Sequence, residues 1–382
     1  MSALSFLQVV DLCDNVDLRR DAPDVLYDAK HAETEQLVPF TLTDALDSPI
    51  VGLLRPPIVK RLALENERSK ELGSEQVWKL RLNKDEHRTL ANGRSIGPCI
   101  SFSDWVDTPG KRNAALKEIC ERWRDTALFP DVCGPKKWRG EMYAIYADPF
   151  GLHDHPDHKQ GGKSLNYAFE MERSACALFG VITYGVHMSI YEEDVDEKGQ
   201  KTVRIWVPTR ALTKPTFPGY LDNTVAGGIP SGMSPFEALV KECMEEASLP
   251  DDLVRDHIKA TGAVSYFFRT SKGWLQPEVE YIYDIVVPAG VDKNLFKPKP
   301  LDGEVESFEL MSQDEVIYNL KTGKFKPNCG VARGSDSDVR IPLAVLIDLF
   351  IRLGFITPAN EPDYMKIITR THSQFDFSKW KQ

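Results

Sequence analysis

Apolar positions along the chain recur in two rhythms, one of three to four residues and one of two, which predicts interleaved helices and strands. Phe6, Leu7, Val10 and Leu12 have the spacing of an amphipathic helix, expected to cap the first domain. Between residues 36 and 100, the apolar runs LVPFTLT, SPIVGLLRPPIVKRL and QVWKLRL are broken by polar residues and prolines, as in an α+β unit with small strands. Ala115, Ile119 and Trp123 recur at four-residue steps, so 110–124 reads as a helix, and RGEMYAIYADP then reads as a strand. Residues 148–164 are polar and rich in Gly and His; they read as a loop, and the domain boundary is placed there.

Beyond it, 171–181 reads as a helix running into the strand ITYGVHMSIYEE, which forms a hairpin with KTVRIWVPTR across the turn DVDEKGQ. NTVAGGIPSG leads into the helix SPFEALVKECMEEASL. Here Ser234 is placed to cap, Pro235 suits the first helical position, and Glu237 has the spacing of a capping box. GAVSYFFRT, EVEYIYDIVV and EVESFELMS read as strands, SQDEVIYNL and RIPLAVLIDLFIRLG as helices, the second buried on most sides. The expected fold class is α/β: an α/β/α sandwich with a mixed sheet over 170–360, a smaller α+β domain over 1–150 before it, and a tail over 361–382.

At 382 residues the chain exceeds one typical domain, which agrees with two units of roughly 150 to 200 residues. With 42% apolar and 27% charged residues it is neither disordered nor fibrous. No stretch approaches the roughly 18 uncharged apolar residues of a spanning helix, so no membrane association is expected. The N-terminus meets acidic residues too early for a secretory signal and lacks the bias of a transit peptide, so a cytoplasmic location is expected. Seven cysteines without a CxxC pair are expected as reduced thiols. The formal net charge of −10 would repel a nucleic-acid backbone, so a nucleotide-like ligand is expected at one local site and nucleic acid is not an expected partner.

The chemistry concentrates on one helix. Glu242 precedes Glu245 by three residues and Glu246 by four, so three carboxylates project from one face. Hard oxygen donors of this kind suit Mg²⁺ or Mn²⁺, which would bridge phosphate oxygens. Gly227 and Gly228 would let backbone amides approach an anion at the entry to the helix. The bland alternative is a solvated acidic face.

The segment GIPSGMSPFEALVKECMEEASL, Gly228 to Leu249, resembles the Nudix box: a glycine, a spaced glutamate, then Arg-Glu-aliphatic-x-Glu-Glu-x-Gly. Lys241 stands in place of the arginine, Ser248 in place of the last glycine, and Met233 where the first glutamate usually falls. With TYGVHMSIY and RIWVPTRALTKPTFPGYLDN, the chain is similar to a Nudix subfamily that carries an N-terminal domain of unknown function and is often labelled thiamine pyrophosphokinase-related. In that subfamily the lost first glutamate and a glycine loop one residue short are habitual. The resemblance implies hydrolysis of thiamine diphosphate, and preferentially of its oxidised forms, to the monophosphate. It implies divalent metal on Glu242, Glu245 and Glu246, and a general base from Glu245, Glu304 or Glu306. The expected partner is a small-molecule diphosphate, and the expected assembly a monomer or homodimer.

Arg210 and Lys214, four apart, are candidates for the terminal phosphate or a substrate carbonyl, against a reading as plain surface charge. Trp206, Phe217 and Tyr220 are candidates to stack a heteroaromatic ring, with core packing as the alternative for Trp206. Alternation puts Glu278 and Glu280 on one strand face, to support metal or substrate or to lie on an exposed edge. His153, His155 and His158 raise a zinc hypothesis that the polar loop and absence of nearby cysteine disfavour. A broad nucleoside-diphosphate-derivative hydrolase and a catalytically weak diphosphate-binding sensor stay open as alternatives.

Overall fold

The computed structural model describes residues 3–16, 25–28, 33–83, 88–89, 95–96, 98–158, 165–213, 217–326, 343–373 and 375. The C-terminal unit is built on a six-stranded sheet. Its edge strand Lys259–Arg269 pairs antiparallel with Leu275–Val286, which runs parallel to Thr183–Val195. The first half of Thr183–Val195 takes the short strand Val225–Gly228; its second half takes Lys201–Arg210, which in turn pairs with Val305–Ser312. The sheet is therefore mixed.

Period-two alternation assigns the two faces. Val186, Met188 and Ile190 pack with Leu239, Val240 and Cys243 of helix Pro235–Ala247. Val203, Ile205 and Val207 face the other way, under helices Gln313–Lys321, Leu343–Arg352 and Tyr364–Thr371. This is the expected α/β/α sandwich. Among the described residues no helix is long and apolar enough to cross a membrane.

The N-terminal unit orders four strands as Ile50–Leu54, Val38–Thr41, Cys99–Phe102 and Trp78–Arg81. Helices Pro56–Glu71 and Pro109–Asp125 cover it around Phe40, Trp78, Phe102 and Trp123. Trp274 of the C-terminal unit enters this core. Its ring lies edge-on to Phe129 at 5.5 Å and its indole N–H donates to Asp131 Oδ2 at 2.8 Å.

Four expectations change. Helix Phe6–Cys13 buries Phe6, Val9, Val10 and Cys13 among the C-terminal helices instead of capping the first unit. Residues on both sides of the 148–164 loop pair with each other, as strands Met142–Tyr146 and Tyr167–Glu172. The histidines of that loop are packed: His153 stacks on Tyr146 at 4.3 Å and bonds the Tyr281 hydroxyl at 3.0 Å, and burial lowers its pKa to about 4. His155 packs against Tyr167, and His158 Nε2 lies 3.1 Å from Gly232 O. The segment read as a helix over 171–181 is shorter, Cys176–Phe179, because residues 167–172 join the ladder and left-handed Gly180 ends the turn. Within 361–382, helix Tyr364–Thr371 buries Ile367 and Thr371, and Phe375 is buried. The six described cysteines are buried and form no disulfide; Cys329 lies outside the described residues.

Candidate active site

Helix Pro235–Ala247 starts where the sequence places it. Ser234 Oγ accepts the Glu237 N–H at 3.2 Å and Pro235 occupies the first turn. Only half of the capping box forms, because the Glu237 carboxylate turns to Arg255, at 2.8 and 2.7 Å. The helix ends on Ser248 in the left-handed region (φ 54°), a conformation that favours glycine; its hydroxyl donates to Lys299 O at 2.9 Å.

Glu242, Glu245 and Glu246 line one cleft of about 370 Å³, together with Arg210, Gly227, Gly228, Gln276, Glu304 and Lys326. Glu246 is buried, and its Oε2 accepts the Ala226 N–H at 3.2 Å. Burial pushes the pKa of Glu242 up to about 7; Lys241 and Arg173 oppose the shift, while Glu245 and Glu304 add to it. Glu245 is the outermost. Lys241 donates to it at 2.8 Å and lies 3.5 Å from Glu242, so an ammonium spans two of the carboxylates.

Among the described residues no three carboxylate, imidazole or thiol groups converge to hold a metal ion by themselves. The donor chemistry nevertheless fits Mg²⁺ or Mn²⁺. Six carboxylates line the cleft, Asp131, Glu242, Glu245, Glu246, Asp302 and Glu304, and the cation already drawn between two of them shows the demand for positive charge there.

The two glycines line the cleft, and each is also required sterically. A Cβ at 227 would lie 2.3 Å from Cγ and Cδ of Glu242, and one at 228 would lie 1.6 Å from the Tyr143 hydroxyl. The missing side chains admit a carboxylate from the helix and a tyrosine from the N-terminal unit.

Arg210 reaches the cleft and donates to Asp222 Oδ2 at 2.7 Å. Lys326 donates to the same oxygen at 3.2 Å, so two cations share one buried carboxylate. Burial would raise the Asp222 pKa, but Lys326, Arg210 and His187 overcome it and hold it at about 2. Burial lowers Lys326 to about 8; Asp222 opposes the shift and the repulsion from Arg210 adds to it. The two shifts thus have different causes: burial lowers Lys326, whereas the neighbouring cations lower Asp222.

Lys214 lies outside the described residues. Tyr220 lines a separate cavity of about 660 Å³ with Glu309, Met311 and Tyr318, and Phe217 and Trp206 are buried in packing. The loop that carries Tyr220 doubles back on the strand, with the Arg210 N–H donating to Tyr220 O at 2.8 Å, which carries the ring away from the glutamates. Glu278 is buried, accepting from Thr183 Oγ1 at 3.3 Å, and the single Tyr266 O–H lies between Glu278 and Glu280, its oxygen 2.6 Å from Glu280 Oε1. The exposed-edge reading fails because this strand has a partner on each side. Glu304 lines the cleft; Glu306 is exposed. Sequence reasoning missed Asp222, Lys326, Arg139 and Arg173, which no local spacing connects with the helix.

Residues 194–329 match the NUDIX domain profile. An uncharacterized protein of Saccharomyces cerevisiae is 36% identical over 278 residues, covering 70% of this chain and 69% of that protein. Nudix hydrolase 20, chloroplastic, of Arabidopsis thaliana is 38% identical over 72% of this chain, and Nudix hydrolase 24, chloroplastic, 36% over 72%. The chain spans 62% and 63% of these two plant proteins, less than two thirds of either. Among solved structures, a C. elegans Ap4A hydrolase overlaps 35% of this chain and 83% of its own at 13% identity (TM-score 0.25). A NUDIX hydrolase from Alicyclobacillus acidocaldarius overlaps 44% and 90% at 11% identity (TM-score 0.29).

Proposed function

We propose that the chain is a Nudix hydrolase that hydrolyses small-molecule diphosphates, with thiamine diphosphate and its oxidised forms as substrates; the NUDIX profile match and the two plant Nudix hydrolases support this reading. The observation that supports this reading is the meeting of Glu242, Glu245, Glu246 and Glu304 with Arg210 and Lys326 in one cleft. Nudix hydrolases use divalent ions such as Mg²⁺ or Mn²⁺, and here Glu242, Glu245 and Glu246 would hold one. When bound, the ion neutralises the diphosphate and acidifies the attacking water. Arg210 and Lys326 orient the phosphate oxygens by charge-assisted hydrogen bonds. Glu304 or Glu245 takes the proton from water, which adds to phosphorus as the P–O–P bridge breaks, leaving a monophosphate and orthophosphate.

No aromatic ring lines the cleft among the described residues, so charge discriminates between ligands more than stacking does. A thiazolium beside Arg210 is repelled, whereas an oxidised ring has lost its positive charge and gained a carbonyl acceptor. Arg210→Ala is accordingly expected to lower kcat/KM for the oxidised form more than for thiamine diphosphate. Equal losses on both would restrict Arg210 to the shared phosphates. The reading as a whole is tested by a phosphate-release screen with Mg²⁺ or Mn²⁺ over thiamine diphosphate, oxothiamine diphosphate, nucleoside diphosphate sugars and dinucleotides. Turnover of the nucleotides alone would replace the substrate, and no turnover would favour the sensor. A cytoplasmic location belongs to the same proposal.

Because Glu242 releases its proton near pH 7 in the metal-free protein, Mn²⁺ affinity should fall about tenfold for each pH unit below 7. The folded pKa lies above the ordinary 4.5. The folded state thus binds more protons between these values, and metal-free stability declines as pH rises from about 4.5 to 7. Mn²⁺ titrations at pH 5.5, 6.5 and 7.5 check this; a flat affinity in the native protein would remove Glu242 from the metal site.

A further inference from the structure

The cleft has a second wall that belongs to the N-terminal unit. Lys137, Arg139 and Arg173 line it, all outside residues 194–329. Arg173 is firmly placed. Its guanidinium donates to Glu141 Oε2 at 2.6 Å and lies over the Tyr143 ring, 5.2 Å from the centroid. The hydroxyl of that same tyrosine fills the space that the missing side chain of Gly228 leaves open. Buried Glu172 fixes the turn from behind, accepting the Arg139 N–H at 2.8 Å and the Ser174 N–H at 3.3 Å. Trp274, inserted into the N-terminal core and bonded to Asp131, pins this wall against the C-terminal unit.

We propose that Arg173 is a substrate-binding residue: its guanidinium, braced by Glu141 and Tyr143, contacts the diphosphate held at the glutamate helix, so the N-terminal unit completes the active site. This rests on the reading of the cleft as a diphosphate site. A guanidinium has five N–H donors in a planar fork, and Glu141 accepts from one nitrogen. The side chain is 29% exposed, accessible to a ligand yet held in one orientation. Its charge already acts on Glu242 across the cleft. Lys241, engaged with Glu245 and Glu242, offers a compact ammonium on the helix itself, whereas planar two-point recognition of a phosphate requires an arginine.

The test is calorimetric titration of imidodiphosphate, whose P–N–P bridge replaces P–O–P, into Mn²⁺-loaded full-length protein, beside Mn²⁺ titration alone and steady-state kinetics. Arg173→Ala should weaken imidodiphosphate by about ten- to hundredfold, in line with loss of a charge-assisted pair. Mn²⁺ affinity should not fall, because a cation beside Glu242 has been removed. Arg173→Lys keeps the charge without the fork, should lose an intermediate amount, and serves as the test if the alanine variant misfolds. Imidodiphosphate affinity and KM within threefold of wild type in a folded variant would overturn the proposal, as would no binding to wild type. Wild type that binds imidodiphosphate through Arg173 but turns over no diphosphate would overturn the hydrolase reading and leave the binding assignment standing.

Discussion

Glu245→Gln and Glu246→Gln should each lower kcat by about two to three orders of magnitude while the protein stays folded, because each removes charge stabilisation that acts mainly in the transition state. The two positions test different surroundings. Glu245 is half-exposed and pairs with Lys241, so an amide there disturbs a surface ion pair of small energetic value. Glu246 is buried and accepts the Ala226 N–H, a bond that a glutamine carbonyl oxygen can reproduce. Turnover at saturating Mg²⁺, compared with thermal midpoints, separates loss of chemistry from loss of fold. Near-normal kcat in either variant, with an unchanged midpoint, would defeat the metal assignment.

What could be read from the sequence follows the range of the interactions involved. Helical periodicity fixes the relative directions of Glu242, Glu245 and Glu246 over four residues, and the structure brings all three to one cleft. Alternation likewise put Glu278 and Glu280 on one face. Their burial depends on Tyr266, on Gly185, whose Cβ would lie 2.0 Å from Glu280, and on a strand to either side. The pattern of Phe6–Cys13 shows that one face is buried but not against what, and its partners are the strand Lys259–Arg269 and the C-terminal helices, far along the chain. Gly227 and Gly228 were legible as places where backbone must come close. The approaching groups, Glu242 and Tyr143, were not, because they arrive from a helix and from another unit. Arg173, Asp222 and Lys326 carry no shared motif; only tertiary packing makes them neighbours of the glutamates.

The largest effect on stability should come from Asp222→Asn, a substitution that keeps shape and removes one charge. Arg210 and Lys326 both depend on that carboxylate, at 2.7 and 3.2 Å, and all three side chains are largely buried. Breaking a buried pair by removing one partner leaves an uncompensated charge and costs about 3–5 kcal/mol. Burial has already lowered Lys326 to about 8 with Asp222 in place, and the asparagine variant should lower it further. The pH dependence of the wild-type protein has two separate limbs. Asp222, at about 2 when folded against an ordinary 3.8, contributes stability that is present above 3.8 and lost as pH falls through 2. Lys326, at about 8 against 10.5, is more protonated in the unfolded chain between those values, so stability rises with pH across that window. In Asp222→Asn the acid limb should disappear and the alkaline gain should begin below pH 8. Inorganic phosphate, entering beside cations that have lost their counter-charge, should raise the variant's thermal midpoint more than that of wild type. Denaturant unfolding from about pH 1.5 to about pH 10.5 checks each limb, and a loss below about 1 kcal/mol at pH 7, small for a buried ion pair, would show that Arg210 and Lys326 do not depend on Asp222.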